Sequence, residues 1–457
     1  MLDDVLKFVD DNLQASLDRL FALLRIDSIS TDPAYTESCR KAADWLVGEL
    51  NGIGFNASAR PTPGHPIVVG KQGDSGPRLL FYAHYDVQPV DPIELWKTPP
   101  FEPTLVTLAD GRKAIAARGA GDDKGQMLTF LEAARAWIKV TGHLPARVTL
   151  LLEGEEESGS VNLKPFLKAN AAELAADVAL VCDTGMWSAD KPAITTTLRG
   201  LGAEEVTITA ASRDLHSGMY GGAARNPIHV LAAIVAALHD DTGRVTVPGF
   251  YDGVSELPPD LKQQWNGLGF DAGEFLGDVG LSIPAGEQGR SVLEQIWARP
   301  TLEVNGIVGG YTKPGFKTVI PSEASAKISF RLVGDQDPEK IATSFRQFVS
   351  DRVPADCKVA FHSHAGSPAR RLPLDGRWLK RAATALADEW GQPTALIGGG
   401  GSIPVIGDFR DILGIDSVMV GFGLDDDQIH SPNEKYDLRS YHQGIRSWVR
   451  ILAALAS

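Results

Sequence analysis

Four short apolar runs, at residues 78–82, 114–117, 148–152 and 178–182, constrain this chain more than any other feature. Runs that are apolar throughout suit strands buried on both faces, whereas alternation would mark a strand with one wet face. Helical patterns lie at 40–50, with Gly54 placed to stop the helix, and at 126–139 between two of the runs. The alternation predicts an α/β domain with a largely parallel sheet. After Arg199 the rhythm changes. Strand 204–209, helix 227–239, strands 301–304 and 326–332, helix 338–349 and strand 358–362 follow the split order of a ferredoxin-like domain. A Gly- and Pro-containing stretch at 240–300 is too long for an ordinary connection and reads as an insertion. A helix at 378–389, a glycine run at 398–401, a strand at 418–421 and a closing helix then restore the first pattern. At 457 residues two domains are expected. The simplest arrangement is one discontinuous domain of residues 1–197 and 370–457, interrupted by a second of residues 198–369.

The formal net charge of −14 argues against nucleic acid or an anionic membrane as partner, since either would be repelled on approach. The apolar run at 230–238 is far shorter than the roughly 20 residues a bilayer span needs. The first 13 residues, MLDDVLKFVDDNL, have no basic start and no continuous apolar stretch, so a secretory signal is not expected. Three widely separated cysteines, Cys39, Cys182 and Cys357, suit a reducing, cytoplasmic compartment and are expected to be small buried residues.

Several segments could carry chemistry. FYAHYDV places His84 and Asp86 two apart at a strand end, where both side chains share a face. One can bind a metal while the other orients a ligand. RGAGDDKG, at 118–125, lies between a strand and a helix, as a dinucleotide-binding turn would. Its spacing is wrong for that, and Asp122 and Asp123 stand where the phosphates would be; two carboxylates repel a diphosphate and attract divalent cations. EGEEESG, at 153–159, follows a strongly apolar strand, where adjacent glutamates can divide ligation from general base catalysis. Asp183 ends the run VALVCD, and His430 sits in QIHSPNEK between the last strand and the last helix. Together they predict two histidines and several carboxylates at the ends of successive strands of one sheet. Such a donor set, without thiolates, fits zinc or manganese in a two-metal hydrolytic centre.

With HYDVQP, RGAGDDKG, LEGEEESGS, DLHSGMYGG, KTVIP, FRLV, GGSIPV and HSPNEK in this order, the chain resembles the co-catalytic zinc peptidases. That family includes carnosine and cytosolic nonspecific dipeptidases, glutamate carboxypeptidase, and the acetylornithine and succinyl-diaminopimelate deacylases. The resemblance implies a parallel-sheet catalytic domain with an inserted ferredoxin-like lid and dimerisation domain. It implies His84, Asp122 and Asp183 as ligands of one cation and Asp122, Glu157 and His430 of the other, with Asp122 bridging. The ions would be zinc, with manganese or cobalt as substitutes. Asp86 resembles the carboxylate that orients His84, and Glu156 the general base acting on a water shared by the metals. The bond joining Asp122 and Asp123 is expected to be cis. His216 resembles a histidine that reaches a neighbouring subunit's site, which implies a homodimer. Thr318, Arg331, Ser402 and Asn305 resemble residues around the substrate carboxylate. The implied activity is hydrolysis of dipeptides or short peptides with a free C-terminus, closest to the dipeptidase branch. An N-acyl amino acid deacylase with the same metals is the alternative.

Overall fold

A computed structural model describes residues 1–401 and 403–457. The chain divides into two compact units, Met1–Thr196 with Leu372–Ile397 and Val405–Ser457, and Thr197–Arg371 with Gly398–Pro404.

In the first unit, Arg147–Glu153, Arg78–His84, Val178–Val181 and Ser417–Met419 lie side by side and parallel. Antiparallel strands flank them, Ile67–Gln72 and Asn56–Arg60 on one side and Ala193–Leu198 on the other. Within Arg78–His84 every residue after Arg78 is buried, which is why the run reads as apolar without alternation. The helices Lys124–Thr141 and Leu438–Ala456 share one hydrophobic core with this sheet. There Phe81 stacks on Phe130 at 3.8 Å between ring centroids, and Trp448 meets Phe130 edge-on at 5.3 Å. Truncating any of the three rings to alanine would cost about 3–5 kcal/mol. The 40–50 pattern is the core of the helix Thr36–Gly52, and Gly54 has the positive φ of +97° expected just past a helix end.

One expected strand belongs elsewhere. Lys113–Ala116 does not join the main sheet; it pairs with Thr104–Thr107 and Lys435–Asp437 in a small antiparallel sheet. Four residues are too few to reveal which neighbour they will choose, because a short apolar run satisfies either sheet equally.

The second unit carries the ferredoxin-like order. Thr301–Gly309, Glu323–Leu332, Gly200–Thr209 and Lys358–Ser367 form an antiparallel sheet in that sequence. Alternate residues of Gly200–Thr209 are buried, on the face covered by the helices Pro227–Ala236 and Pro338–Ser350. Both helices start alike. Asn226 and Asp337 accept the N–H two residues on, and the following proline supplies a preset φ. The 240–300 insertion is not a plain loop, for it contains the helices Pro259–Asn266, Ala272–Gly277 and Val292–Trp297. The glycine run packs with this unit, where Arg199 Nε donates to Gly400 O at 2.9 Å. Of the cysteines, Cys39 and Cys182 are buried, but Cys357 is partly exposed on a turn before a strand.

Candidate metal centre

Parallel registry brings three chemical positions to one edge of the main sheet. His84 pairs with Glu153, and Tyr82 with Val181, so the ends of these strands coincide and Glu156–Glu157 and Asp183 follow just beyond them. This is the carboxyl edge, where open α/β sheets place their sites. The remaining donors arrive differently from the single-sheet expectation. Asp122 comes from the turn after Lys113–Ala116, and His430 from the loop before Lys435–Asp437, so both are delivered by the small antiparallel sheet. His430 accordingly precedes the last strand instead of following it.

Possible ligand atoms of His84, Asp122 and Asp183 all lie within 4.8 Å of one another, and so do those of Asp122, Glu157 and His430. Asp122 belongs to both groups. Its Oδ1 lies 3.0 Å from His84 Nε2 and its Oδ2 3.0 Å from His430 Nε2, which is also 3.2 Å from Glu157 Oε2. The bond between Asp122 and Asp123 is cis.

Electrostatics favour a cation here. Burial pushes the Asp183 carboxyl well above the usual range, and the neighbouring Asp122 charge pushes it further. Burial raises Glu156 as well, with His84 opposing it. Burial would also raise Asp122, but hydrogen bonds from His430 and His84 outweigh it and hold this carboxyl low. Hydrogen bonds to Asp122 and Glu157 lift His430 to about 10. For His84, burial disfavours charge, yet Asp122 and Asp86 raise it well above the ordinary imidazole value. The buried Glu157 Oε1 has no hydrogen-bond partner. Carboxylate oxygens and imidazoles crowded so closely, one oxygen orphaned, fit divalent cations.

Supporting contacts fix these side chains. His84 Nδ1 donates to the Asp86 carbonyl at 3.1 Å, while Asp86 Oδ1 is 3.5 Å away. The Asp86 carboxylate is engaged mainly elsewhere, accepting the Glu156 and Glu157 N–H groups at 3.2 and 3.0 Å and the Ser30 hydroxyl at 2.6 Å. It therefore holds the glutamate turn as well as the histidine. Gln88 Nε2 donates to Glu157 Oε2 at 2.8 Å, and Asp123 Oδ2 accepts the His84 N–H at 3.1 Å. Next to Asp123, the ammonium of Lys124 is buried, pushed down to about 8 by that burial, and donates to the carbonyls of Ile26 and Leu23. Glu434 accepts backbone N–H groups from the Asp122 turn. Sequence reading did not single out Gln88, Lys124 or Glu434. Gln88 and Glu434 lie within HYDVQP and HSPNEK, so the motif letters were the only available signal.

The other expected residues lie in the second unit. His216 follows Leu215 in a short strand paired with Val319–Ile320, and Thr318 O accepts the Ser217 N–H at 3.0 Å. His216 Nδ1 accepts the Gly218 N–H at 3.0 Å, so the proton of the neutral ring sits on Nε2. Asn305 is exposed at the register shift between Val304 and Gly306. Arg331 sits opposite Thr301 and Leu201. Its charge, after burial, lowers Arg199 to about 10, and Arg199 is a half-buried cation that the sequence reading left aside. Ser402 lies outside the described residues.

Buried carboxylates that need a cation, beside a glutamate able to move a proton, are the equipment of a divalent-metal-dependent hydrolase. Residues 80–454 match peptidase family M20/M25/M40, and the chain belongs to that family. A Cys-Gly metallodipeptidase of Schizosaccharomyces pombe is 30% identical, across 100% of this chain and 98% of that protein. A Beta-Ala-His dipeptidase of Rattus norvegicus is 30% identical over 87% of this chain and 80% of its own length. Among solved structures, the metallo-carboxypeptidase Sso-CP2 of Sulfolobus solfataricus is 31% identical, with a TM-score of 0.84 over 96% of this chain and 99% of that one. No helix among the described residues is long and apolar enough to cross a membrane.

Proposed function

We propose that this chain is a dipeptidase that hydrolyses the amide bond of dipeptides or short peptides bearing a free C-terminal carboxylate. The observation that carries the reading is the pair of donor groups sharing Asp122, with the raised, half-buried Glu156 beside them. The names of the similar proteins support dipeptides over acyl amino acids as substrates.

His84, Asp122 and Asp183 would hold one divalent cation and Asp122, Glu157 and His430 a second, zinc with manganese or cobalt as substitutes; such ions lower the pKa of bound water to about 7 and polarise a carbonyl. Glu156 takes the proton of the attacking water and returns it to the departing amine, roles that suit a carboxyl raised above its usual range by burial. His216 donates from Nε2 to the carbonyl oxygen as charge develops there. Arg331 binds the substrate carboxylate through two parallel hydrogen bonds, with Thr318 and Asn305 as the further contacts the resemblance implies beside Ser402, which lies outside the described residues. His216 serves the centre of a neighbouring subunit, so the working unit is a homodimer. Exposed Ile307 and Val308 on the terminal strand Thr301–Gly309 support the second unit, residues 198–369 in the sequence reading, as the joining surface. Three unpaired thiols support a cytoplasmic setting.

The test is a panel of dipeptides and N-acetyl amino acids offered to metal-depleted protein with zinc or manganese restored. Dipeptide cleavage is expected, and Glu156→Gln should lower kcat by about 10²–10⁴-fold with metal content unchanged. Turnover of the acyl amino acids alone would replace the dipeptidase reading with the deacylase one.

A further inference from the structure

We propose that Glu434 is a positioning residue that sets the reach between Asp122 and His430, and thereby holds the Asp122–Glu157–His430 position in shape for its cation. The inference rests on the two-cation reading above.

The Glu434 side chain is fully buried, and its carboxylate wraps one turn. Oε1 accepts the N–H groups of Gly121 at 2.8 Å and Asp122 at 3.1 Å; Oε2 accepts Gly119 N–H at 3.0 Å and Arg118 Nη1 at 2.7 Å. The Glu434 carbonyl also accepts the Ala117 N–H at 3.1 Å. A residue four positions after His430 is thus sewn to the turn that carries the shared aspartate. The intervening loop has little freedom. Asn433, at φ +67°, accepts the Lys97 N–H through its side chain and donates to the Leu95 carbonyl.

A simpler account would make Glu434 the counter-ion of the buried Arg118. That role needs one contact, whereas three of its four side-chain partners are amides of the 119–122 turn. Arg118 continues the link, donating to the Pro89 carbonyl next to Gln88, whose amide holds Glu157. Every donor of the second position is therefore tied to Glu434: Asp122 through its own N–H, His430 through the chain, and Glu157 through Arg118, Pro89 and Gln88. The first position shares Asp122, but its other two donors are held independently of Glu434, His84 by strand pairing to Glu153 and by Asp86, and Asp183 just beyond the strand Val178–Val181 of the main sheet.

Glu434→Gln keeps the shape but puts an NH₂ group against one pair of donors, so at least two of the four bonds are lost. The test measures zinc binding by equilibrium dialysis against a competing chelator, with thermal unfolding as a check on folding. The unaltered chain is expected to bind two zinc ions. Glu434→Gln should bind the second on the order of 10–100-fold more weakly and the first, which shares only Asp122 with it, with a clearly smaller loss. Its activity should be lost at limiting zinc and return as free zinc rises. Glu434→Asp keeps the charge but is too short to reach both donor pairs; it should show the same selective loss and serves where the glutamine variant fails to fold. Wild-type affinity for both ions, or a parallel weakening of both, would overturn the inference while leaving two cations in place. Fewer than two ions on the unaltered chain would remove the two-cation reading and the inference with it.

Discussion

At the scale of single residues, the proposed ligand His430 carries a testable pH dependence. It stands between Asp122 and Glu157 and is raised to about 10 by them. An unfolded imidazole titrates near 6.5, so this pairing stabilises the fold fully below about pH 6.5, weakens as pH rises and is lost above about pH 10. A ligating imidazole must also be neutral, so cation binding at pH 7.5 should expel a proton. Calorimetric titration of zinc in buffers of different ionisation enthalpy is expected to show that release, and His430→Gln should diminish it. A buffer-independent heat for the unaltered chain would contradict the raised value.

Among elements, the helix Lys124–Thr141 has glycines at both ends whose substitutions should differ sharply. A Cβ on Gly125 would lie 2.0 Å from the Ala120 carbonyl oxygen and 2.8 Å from the Tyr436 ring, inside the turn that presents Asp122. A Cβ on Gly142 would meet nothing within 4 Å, and its φ of +83° is the only obstacle. Gly142→Ala is therefore expected to cost about 1–2 kcal/mol with zinc binding intact. Gly125→Ala should cost about 1–3 kcal/mol or more and weaken zinc binding as well. Denaturant unfolding with metal analysis separates the two. The sequence showed much of this architecture because strands buried on both faces and helices with apolar stripes write their periods openly. His84, Asp122, Glu157 and His430 were legible as acids and imidazoles in motifs beside apolar runs. What stayed hidden depended on distant pairing. The four residues 113–116 do not reveal their sheet, and the insertion's helices are short ones marked chiefly by caps such as Asp271 and Ser291. Gln88 and Glu434 act through partners 69 and more than 300 residues away.

For the whole molecule, the proposed dimer makes a linked prediction. Light scattering should give a mass about twice the 49.0 kDa of one chain. Charging the exposed strand with Ile307→Lys and Val308→Glu should return the monomer. If His216 works across subunits, that monomer keeps its zinc and loses most of its kcat; full activity as a monomer would exclude the arrangement. The donor residues also run from position 84 to position 430, and this spacing has a meaning during biosynthesis. Under the proposed two-cation reading, a nascent chain still missing residue 430 already carries Glu156, yet the Asp122–Glu157–His430 group is incomplete. On that reading, a chain that stops early carries no complete second donor group.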